Sequence, residues 1–456
     1  MKTCTKVIII ALLACIAVGL VGLGFASTRN QEEAVTRHPA FAYYGSIYEL
    51  NTRQFTPEGT FKAAEEHLHE LKDLGVEIIW FMPIQEIGEL GRKGTLGSYY
   101  AIKDYCSFNH EFGTREDFEH FIQKAHEMGM KVILDWVANH TAPDSEWTKN
   151  EGWHYRDSLG NLVVQYDWWD IAKLNYDNED MRAEMLKAMH FWMDEVGVDG
   201  FRCDVAGEVP TDFWEMAMGD LRKTHPDMFT LAENNDKVNE LTASAFDMYY
   251  GWDLQNVMRK FAKGDTDIEG LWDFFALQDS VVRPEAIRMN FTSNHDENSW
   301  NGTEFEWFGE EGYATFAAFT YIIPGMPLIY NGQEFGNHKR LEFFEKDGFE
   351  RQHVEQYQMY QSLNEVRREN PALWSPELGA PMIRIMNDNP AIFSCARVLE
   401  DNVVLGIFNF SAETQTVMLE TAGLEGDYTC ICGMPVTVGT QDVITLKPWE
   451  WLIYSK

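Results

Sequence analysis

Short apolar runs alternate with amphipathic helical stretches from about residue 40 onward, and this pattern most constrains the fold. Buried parallel strands appear in sequence as short runs rich in β-branched and aromatic residues, joined by helices. Eight such runs are present, at residues 43–50, 76–82, 131–135, 198–204, 229–233, 245–249, 288–294 and 327–331. Eight strand–helix units predict an α/β protein built on a closed (β/α)8 TIM barrel.

The unit that leads into the third run shows the pattern in detail. Thr114-Arg115-Glu116-Asp117 predicts a capped helix start, and Gly129 predicts the end of that helix. The run at residues 131–135 then ends on a carboxylate, Asp135. Functional residues of TIM barrels collect at the C-terminal ends of the strands. The residues that follow each run are therefore the candidates for chemistry.

After Asn370-Pro371 the pattern changes to alternating strands, at residues 383–386, 392–398, 403–410, 415–419 and 443–446. This change predicts a C-terminal antiparallel β-sandwich domain. The predicted organisation is a signal peptide at residues 1–26, a linker at 27–40, a barrel domain at 41–375 and the β-sandwich at 376–456. The barrel domain should carry a short inserted loop domain at about residues 140–175.

The N-terminus has the features of an export signal. Lys2 and Lys6 precede an apolar run at residues 7–25, and polar sequence follows from Ser27. We expect cleavage after Ala26 and a secreted, periplasmic or cell-surface location. The apolar run is also long enough to remain as a membrane tether, and Leu12-Leu13-Ala14-Cys15 is a weaker lipoprotein signal; these are the alternatives.

The charge of the chain narrows the choice of partner. The formal net charge is −35, from 72 acidic and 37 basic residues, so the chain should repel nucleic acid. A neutral ligand is therefore a better candidate partner for this acidic chain than nucleic acid. Aromatic residues make up 14% of the chain, and their flat faces suit the C–H faces of sugar rings, although a large aromatic core accounts for them equally well.

Four predicted strands end in polar segments. These are Asp135-Trp136-Val137-Ala138-Asn139-His140, Gly200-Phe201-Arg202-Cys203-Asp204, Ala232-Glu233-Asn234 and Asn294-His295-Asp296. Three carboxylates, Asp204, Glu233 and Asp296, should therefore meet on one rim. Glycoside hydrolysis needs one protonated carboxyl to assist the leaving oxygen and one carboxylate to attack or stabilise the sugar cation. For any single carboxylate, a barrel-rim salt bridge is the alternative.

The neighbours of two carboxylates suggest how they divide the work. Arg202 and Asp204 are two residues apart on a strand, so their side chains share a face. We expect this cation to lower the pKa of Asp204 and to keep it ionised. Glu233 has no basic neighbour in sequence, which favours an apolar setting and a raised pKa suited to acid catalysis.

Together the four segments resemble the signature segments of the α-amylase family. Gly325 to Glu334 resembles its eighth-strand segment, and Tyr100 to Tyr105 its tyrosine-containing loop after the second strand. The resemblance implies retaining hydrolysis of α-1,4-glucosidic bonds in starch, glycogen or maltodextrins, through a covalent glycosyl-aspartate. The implied partner is thus an α-glucan, and no organic cofactor is implied.

The resemblance also implies a role for individual residues. Asp204 would be the nucleophile, Glu233 the acid/base and Asp296 the carboxylate that orients the bound sugar. Arg202, His140 and His295 would contact sugar hydroxyls, and Tyr100 would stack under the ring. For each histidine a structural hydrogen-bonding role is the alternative, and Tyr100 alone would be read as a core residue.

A structural calcium ion is the one metal that the resemblance suggests. Asn139 matches the position of a calcium ligand in many relatives, and Asp144 with nearby carbonyls could complete an oxygen site. The insertion before residue 175 is short, however, and Gly207-Glu208 replaces the Lys-His pair of many starch-cleaving relatives. The alternative is that Asn139 only ties the loop through hydrogen bonds.

Two other functions use the same residues or the same fold. An exo-acting α-glucosidase or a glucanotransferase would share the nucleophile, the acid and the covalent intermediate. The short insertion leaves a more open cleft, which favours endo action on polymers. A non-catalytic accessory protein is the remaining alternative, but it would have no reason to retain a cluster of buried charges, since such charges cost stability.

Overall fold

The structure is a computed structural model that describes residues 37–352 and 355–456. The predicted signal peptide, its cleavage after Ala26 and most of the linker lie outside the described residues. His38–Lys456 form one compact unit. Within the described ranges, every helix is too short or too polar to cross a bilayer.

Eight parallel strands close into a barrel. They are β1 (Ile47–Leu50), β2 (Ile78–Phe81), β3 (Lys131–Trp136), β4 (Gly200–Cys203), β5 (Phe229–Ala232), β6 (Met248–Tyr250), β7 (Ile287–Asn290) and β8 (Met326–Tyr330). Each strand pairs with the next in chain order, and β8 pairs back with β1. The predicted TIM barrel is confirmed. The predicted first strand began too early, because Phe41–Tyr44 is a helical turn.

Helices surround the barrel and connect its strands. Beyond Phe41–Tyr44, the α-helices are Thr52–Phe55, Phe61–Glu65, Leu68–Leu74, Arg115–Glu127, Glu179–His190, Thr211–Leu221, Val238–Leu241, Trp252–Ala262, Ile268–Val281, Glu304–Ile322 and Glu355–Glu369. Shorter 3₁₀ turns are Glu146–Lys149, Ala206–Glu208, Gln333–Phe335 and Pro371–Leu373, and π-helical turns are Phe191–Val196 and Glu297–Asn301. The predicted capping box at Thr114 is present, with its side chain accepting from the Asp117 amide.

Two short antiparallel ribbons cover the C-terminal face of the barrel. Glu86–Ile87 pairs with Ile102–Asp104, and His140–Thr141 pairs with Ala172–Lys173. The second ribbon joins the two ends of the insertion that follows β3. Both ribbons lie at the strand ends where the sequence predicts function.

The side chains inside the barrel change from apolar to polar toward the C-terminal ends of the strands. Alternate residues of a strand face the same side, so Ile47 and Glu49 of β1 both point inward. Apolar side chains, including Ile47, Ile78 and Ile133, form the lower layers of the interior. Toward the C-terminal end the corresponding positions two residues later are Glu49, Trp80 and Asp135, all fully buried. A polar layer therefore lies directly beneath the rim.

Two antiparallel sheets form the C-terminal part of the chain, as predicted. The six-stranded sheet has the spatial order Met382–Arg384, Ile392–Leu399, Asn402–Asn409, Trp451–Ser455, Gly426–Cys430 and Pro435–Val438, and the three-stranded sheet has the order Met386–Asn387, Gln415–Glu420 and Gln441–Leu446. An apolar core that includes Ile392, Leu405 and Leu419 lies between them. Phe319 of the helix Glu304–Ile322 packs edge-on against Phe393 and Phe408, which joins this domain to the barrel.

Candidate active site

A cleft of about 520 Å³ opens at the C-terminal ends of the barrel strands. This volume is within the range of small-molecule sites. Six of the eight predicted site residues line it, namely Tyr100, His140, Asp204, Glu233, His295 and Asp296. The other two, Arg202 and Asn139, lie below the surface, with exposed fractions of 0% and 2%.

Arg202 joins the carboxylates from beneath. Its Nη1 donates to Oδ1 of Asp135 at 2.9 Å and to Oδ1 of Asp204 at 3.0 Å. Its Nη2 lies 2.9 Å from Oε2 of Glu233. The predicted meeting of Arg202 and Asp204 thus occurs, but Glu233 also has a cation beside it, unlike the expectation from its sequence neighbours. One buried guanidinium holds two of the predicted catalytic carboxylates at a fixed spacing.

The backbone fixes both carboxylates as extensions of the barrel ladder. The amide of Asp204 donates to the carbonyl of Trp136, and the amide of Glu233 donates to the carbonyl of Cys203, each at 3.0 Å. Val205 has a left-handed φ of 36°, which is strained for a β-branched residue. This conformation lets the Val205 amide donate to Oε2 of Glu233 at 2.8 Å. The turn after β4 therefore orients Glu233 as well as Asp204.

Burial has the largest effect on the pKa values of the carboxyl groups that contact Arg202. It raises the pKa of Asp204 and of Glu233 above their ordinary values, although Arg202 acts to lower both. The sequence predicted a net lowering for Asp204, and the structure differs because desolvation outweighs one shared cation. Burial also raises the pKa of Asp135 to about 7. Such crowding favours one carboxyl retaining a proton while another is ionised, the division that acid-assisted displacement requires.

Asp296 and its neighbours form the opposite wall. Nε2 of His295 lies 3.4 Å from Oδ2 of Asp296 and 2.9 Å from the Tyr100 hydroxyl. The Tyr100 and His295 rings are stacked with centroids 5.6 Å apart. The Tyr100 hydroxyl also donates to Oδ2 of Asp135. Tyr100 is therefore held at both its ring and its hydroxyl.

Sequence reasoning missed several residues of the site. Glu49 hydrogen-bonds Nδ1 of His295 from β1, and Trp80 donates to Asp135 from β2. A charged residue at an inward position of a fully buried strand was the available signal for Glu49. Large aromatic side chains also line the cleft, among them the exposed Trp169 and Trp300 with Phe343. Trp169 and Phe343 come from loops and Trp300 from the short turn Glu297–Asn301, where no periodic pattern identifies them.

His140 differs from His295 in charge. Burial lowers the pKa of His140 to about 4, so this ring is neutral near pH 7. Its Nδ1 contacts the Asn139 amide at 3.1 Å, and its ring lies 5.8 Å from that of Trp168. His140 can thus offer a neutral imidazole to a sugar hydroxyl at the cleft wall.

The surroundings of Asn139 do not fit a calcium ion. Its Nδ2 donates to Oε1 of Gln165 at 2.8 Å, so the insertion meets it with a neutral amide. Oδ2 of Asp144 accepts from the Glu89 amide, whereas its buried Oδ1 has no hydrogen-bond partner among the described residues. Calcium prefers several oxygen ligands with carboxylates among them, and residues 37–352 and 355–456 contain no group of three or more His, Cys, Asp or Glu suited to a metal. The hydrogen bond between Asn139 and Gln165 ties the insertion to the barrel directly.

Removal of divalent ions should therefore leave the protein unchanged. After dialysis against EDTA, we expect the thermal midpoint to stay within about 2 °C of the untreated value, because Asn139 and Gln165 bind each other instead of forming an oxygen cage for a cation. Differential scanning calorimetry with and without added Ca²⁺ measures this. A large fall that Ca²⁺ alone reverses would show that an ion does bind, and Asn139→Ala would then locate it.

Comparisons with known proteins agree with this geometry. The family model for the alpha amylase catalytic domain matches residues 24–152 and 148–381. The alpha-amylase MalA of Haloarcula japonica is 30% identical over 427 residues, which cover 89% of this chain and 60% of that protein. A 4-alpha-glucanotransferase of Thermotoga neapolitana is 28% identical over 325 residues, covering 62% of this chain and 68% of that protein. The crystal structure of the maltogenic alpha-amylase AmyB from Thermotoga neapolitana superposes with a TM-score of 0.82 at 30% identity, covering 90% and 98% of the two chains.

The lengths of these relatives differ. The chain spans about 60% of the length of the curated amylase MalA, whereas it covers 98% of the AmyB chain in the solved structure. The match to the family model, at residues 24–152 and 148–381, includes all eight barrel strands.

Proposed function

Because the chain belongs to the alpha-amylase family of glycoside hydrolases and transferases, we propose that it hydrolyses α-1,4-glucosidic bonds of an α-glucan with retention of configuration. The substrate class is starch, glycogen or maltodextrins. The observation that carries the proposal is the buried Arg202, whose guanidinium contacts both Asp204 and Glu233 at the floor of the cleft. Asp296 faces the same cleft.

The contacts of each carboxylate favour a division of roles. Arg202 holds Oδ1 of Asp204, so Oδ2 would attack the anomeric carbon and form the glycosyl-aspartate. Oε2 of Glu233 accepts from the Val205 amide, so Oε1 would carry the proton that the leaving oxygen takes. Glu233 then accepts a proton from water, and the resulting hydroxide displaces Asp204. This second displacement restores the original configuration.

Asp296, His295 and Tyr100 would bind the sugar at the point of cleavage. The stacked Tyr100 ring supplies a flat apolar face for the sugar, and Asp296 accepts from its hydroxyls. His140 adds a neutral imidazole from the other wall. These groups strengthen transition-state binding when they meet the flattened ring better than the ground-state ring.

The rim of the cleft favours action within a chain rather than at its end. Trp169 and Trp300 line the cleft with exposed fractions of 61% and 52%. Lys93 lies over the Trp169 ring, with Nζ 4.5 Å from its centroid, and also pairs with Asp170. Exposed aromatic faces of this kind can stack further glucose units on either side of the cleaved bond. Endo-hydrolysis is the first choice, and exo-hydrolysis or glucan transfer on the same residues is the second.

Product analysis over time tests the function and separates these choices. Soluble starch and a short maltooligosaccharide should both be cleaved, with mixed oligosaccharides as the first products of starch. NMR should show the first-formed anomer to be α. Release of glucose alone favours exo action, and products longer than the oligosaccharide supplied favour transfer. A first-formed β anomer would exclude the retaining mechanism, and no cleavage of either substrate would exclude the proposed function.

Tyr100→Ala should weaken catalysis without abolishing it. Loss of the stacking face should reduce the stabilisation of the transition state by about 1–3 kcal/mol, which lowers kcat/KM roughly 5- to 150-fold. Tyr100→Phe keeps the ring and loses only the hydroxyl contacts to Asp135 and His295, so it should lose less than about tenfold. Steady-state kinetics on a maltooligosaccharide compares the two variants. Wild-type kcat/KM for Tyr100→Ala would show that the ring serves packing alone.

Export remains a prediction from the N-terminal sequence. We infer that the mature chain begins near Ser27, since polar sequence follows the apolar run there. N-terminal sequencing of the protein from its native host tests this. Recovery of the uncleaved precursor in the membrane would favour the tether instead.

A further inference from the structure

A fully buried carboxylate outside the predicted site contacts the site from inside the barrel. Glu49 lies on β1 with an exposed fraction of 0%, in register with Trp80 and Tyr330 of the adjoining strands. Its strand neighbours Tyr48 and Leu50 are apolar or aromatic and equally buried. An ionised carboxylate at such a position costs several kcal/mol unless it is paired. The partner of Glu49 therefore indicates what the residue does.

The partner is His295, which lies in the cleft wall. Oε1 of Glu49 forms a hydrogen bond with Nδ1 of the His295 ring. In the described part of the chain, no donor forms a hydrogen bond with Oε2 of Glu49. Nε2 of His295 faces the opposite way, toward the Tyr100 hydroxyl and Asp296. Glu49 thus acts on the cleft through one ring.

The hydrogen-bond pattern determines where the protons on that ring lie. Arg202 donates to both oxygens of Asp135 and Trp80 donates to Oδ2, so this carboxyl group is an acceptor here. Tyr100 has a single hydroxyl proton, which it donates to Oδ2 of Asp135 at 3.1 Å. Its oxygen must then accept from Nε2 of His295 at 2.9 Å. Nδ1 faces Glu49. Burial raises the pKa of Glu49 above its ordinary value, whereas His295 and Arg202 act to lower it. An ionised carboxylate can only accept, so with Glu49 ionised both nitrogens of His295 carry protons and the ring is an imidazolium.

We propose that Glu49 is a positioning residue that keeps His295 doubly protonated and oriented, so that its Nε2–H donates to the Tyr100 hydroxyl and its positive charge lies beside Asp296 in the lining of the cleft. Hydrogen bonds from a charged donor are shorter and stronger than neutral ones. The carboxylate of Glu49 also offsets the charge of the ring inside the barrel. This proposal rests on the proposed glycosidase function, because it concerns the group that would contact the sugar.

The charges around His295 agree with this assignment. Burial acts to lower its pKa, but Asp296 and Glu49 outweigh burial and raise it to about 9. Arg202 opposes them. Asp135, Asp204 and Glu233, all acidic, also interact with the ring electrostatically. At neutral pH the ring is therefore charged. If Glu49 is replaced by a neutral residue, the pKa of His295 should fall, and the ring should lose its proton at a lower pH than in the wild-type protein.

Glu49→Gln separates the charge of Glu49 from its shape. The amide oxygen can still accept from Nδ1, so the ring stays in place while its pKa falls. The probe should be α-maltosyl fluoride. Because fluoride leaves without a proton, kcat/KM for this substrate does not depend on the protonation state of Glu233. For the wild-type enzyme we expect an alkaline limb governed by His295. For Glu49→Gln we expect that limb at least one pH unit lower, and therefore about tenfold lower kcat/KM on the alkaline side, with near-wild-type values in acid.

Glu304→Gln is the matched control. Glu304 is also a buried carboxyl, hydrogen-bonded to Thr292 and Gln333, and it does not line the cleft. Its variant should keep the wild-type pH profile. An unmoved alkaline limb in folded Glu49→Gln, with an active wild-type enzyme, would overturn the role of Glu49. Inactivity of the wild-type enzyme toward both the fluoride and starch would instead overturn the proposed function.

The wild-type protein provides a second test that does not depend on the folding of the variant. With ¹⁵N-labelled histidine, NMR should show both nitrogens of the His295 ring protonated at pH 7, with the signal assigned by its loss in His295→Gln. His140 should appear neutral in the same spectrum. A neutral His295 ring at pH 7 would refute the proposal.

Discussion

Asp204→Asn should lower kcat on an α-glucan by roughly 10⁴–10⁶-fold, the range observed when the nucleophile or its partner is removed from a hydrolase. An amide cannot form the glycosyl-aspartate, and no other carboxylate takes the same place above Arg202. The fold should survive, because the substitution removes one negative charge from a site where several carboxyl groups share a single guanidinium. Steady-state rates on soluble starch and circular dichroism on the same sample measure the two effects.

An activated substrate and a surface variant serve as controls for this experiment. α-Maltosyl fluoride should not restore Asp204→Asn, since a better leaving group still needs a nucleophile. Asp212→Asn should keep wild-type kinetics, because Asp212 is exposed and pairs with Arg182 outside the cleft. If folded Asp204→Asn kept more than a few per cent of the wild-type rate, Asp204 could not be the nucleophile.

The barrel could be predicted from sequence because its signal is local. Each buried parallel strand is a short continuous apolar run, and the run at residues 131–135 corresponds to β3, Lys131–Trp136. Errors occurred where the local signal is weak or ambiguous. The strands Gly426–Cys430, Pro435–Val438 and Trp451–Ser455 were missed; each has only four or five residues and is partly exposed. Apolar sequence before β1 was read as strand although Phe41–Tyr44 is helical.

Only those residues of the site that lie in sequence motifs could be predicted. The segments that end β4, β5 and β7 place Asp204, Glu233 and Asp296 at one cleft. Contacts between distant segments were not visible in the sequence. Glu49 forms a hydrogen bond with His295, which is 246 residues later in the chain, and Gln165 of the insertion forms one with Asn139. The sequence also does not show how deeply a side chain is buried. The Asp204 pKa was therefore expected to be lowered by Arg202, whereas burial outweighs Arg202 and raises it.

Glu233→Gln should show the opposite dependence on the leaving group. On starch we expect a loss of roughly 10²–10⁴-fold, the usual contribution of general acid–base catalysis, because the glucan oxygen leaves poorly without a proton. With α-maltosyl fluoride the first step should be slowed by less than about tenfold, since fluoride needs no acid. The second step still needs a base to activate water. The maltosyl-enzyme should therefore accumulate.

Mass spectrometry of Glu233→Gln mixed with α-maltosyl fluoride should show the protein with one added maltosyl group, and peptide mapping should place that group on Asp204. The wild-type enzyme carries the same reaction through to hydrolysis, so it should show little adduct under identical conditions. Asp204→Asn should show none. Because burial raises the pKa of Glu233, the wild-type rate on starch should fall as pH rises through that pKa, and this limb should be absent from the starch profile of Glu233→Gln. A variant that loses activity equally on both substrates and forms no adduct would assign Glu233 to a structural role and leave the acid unidentified.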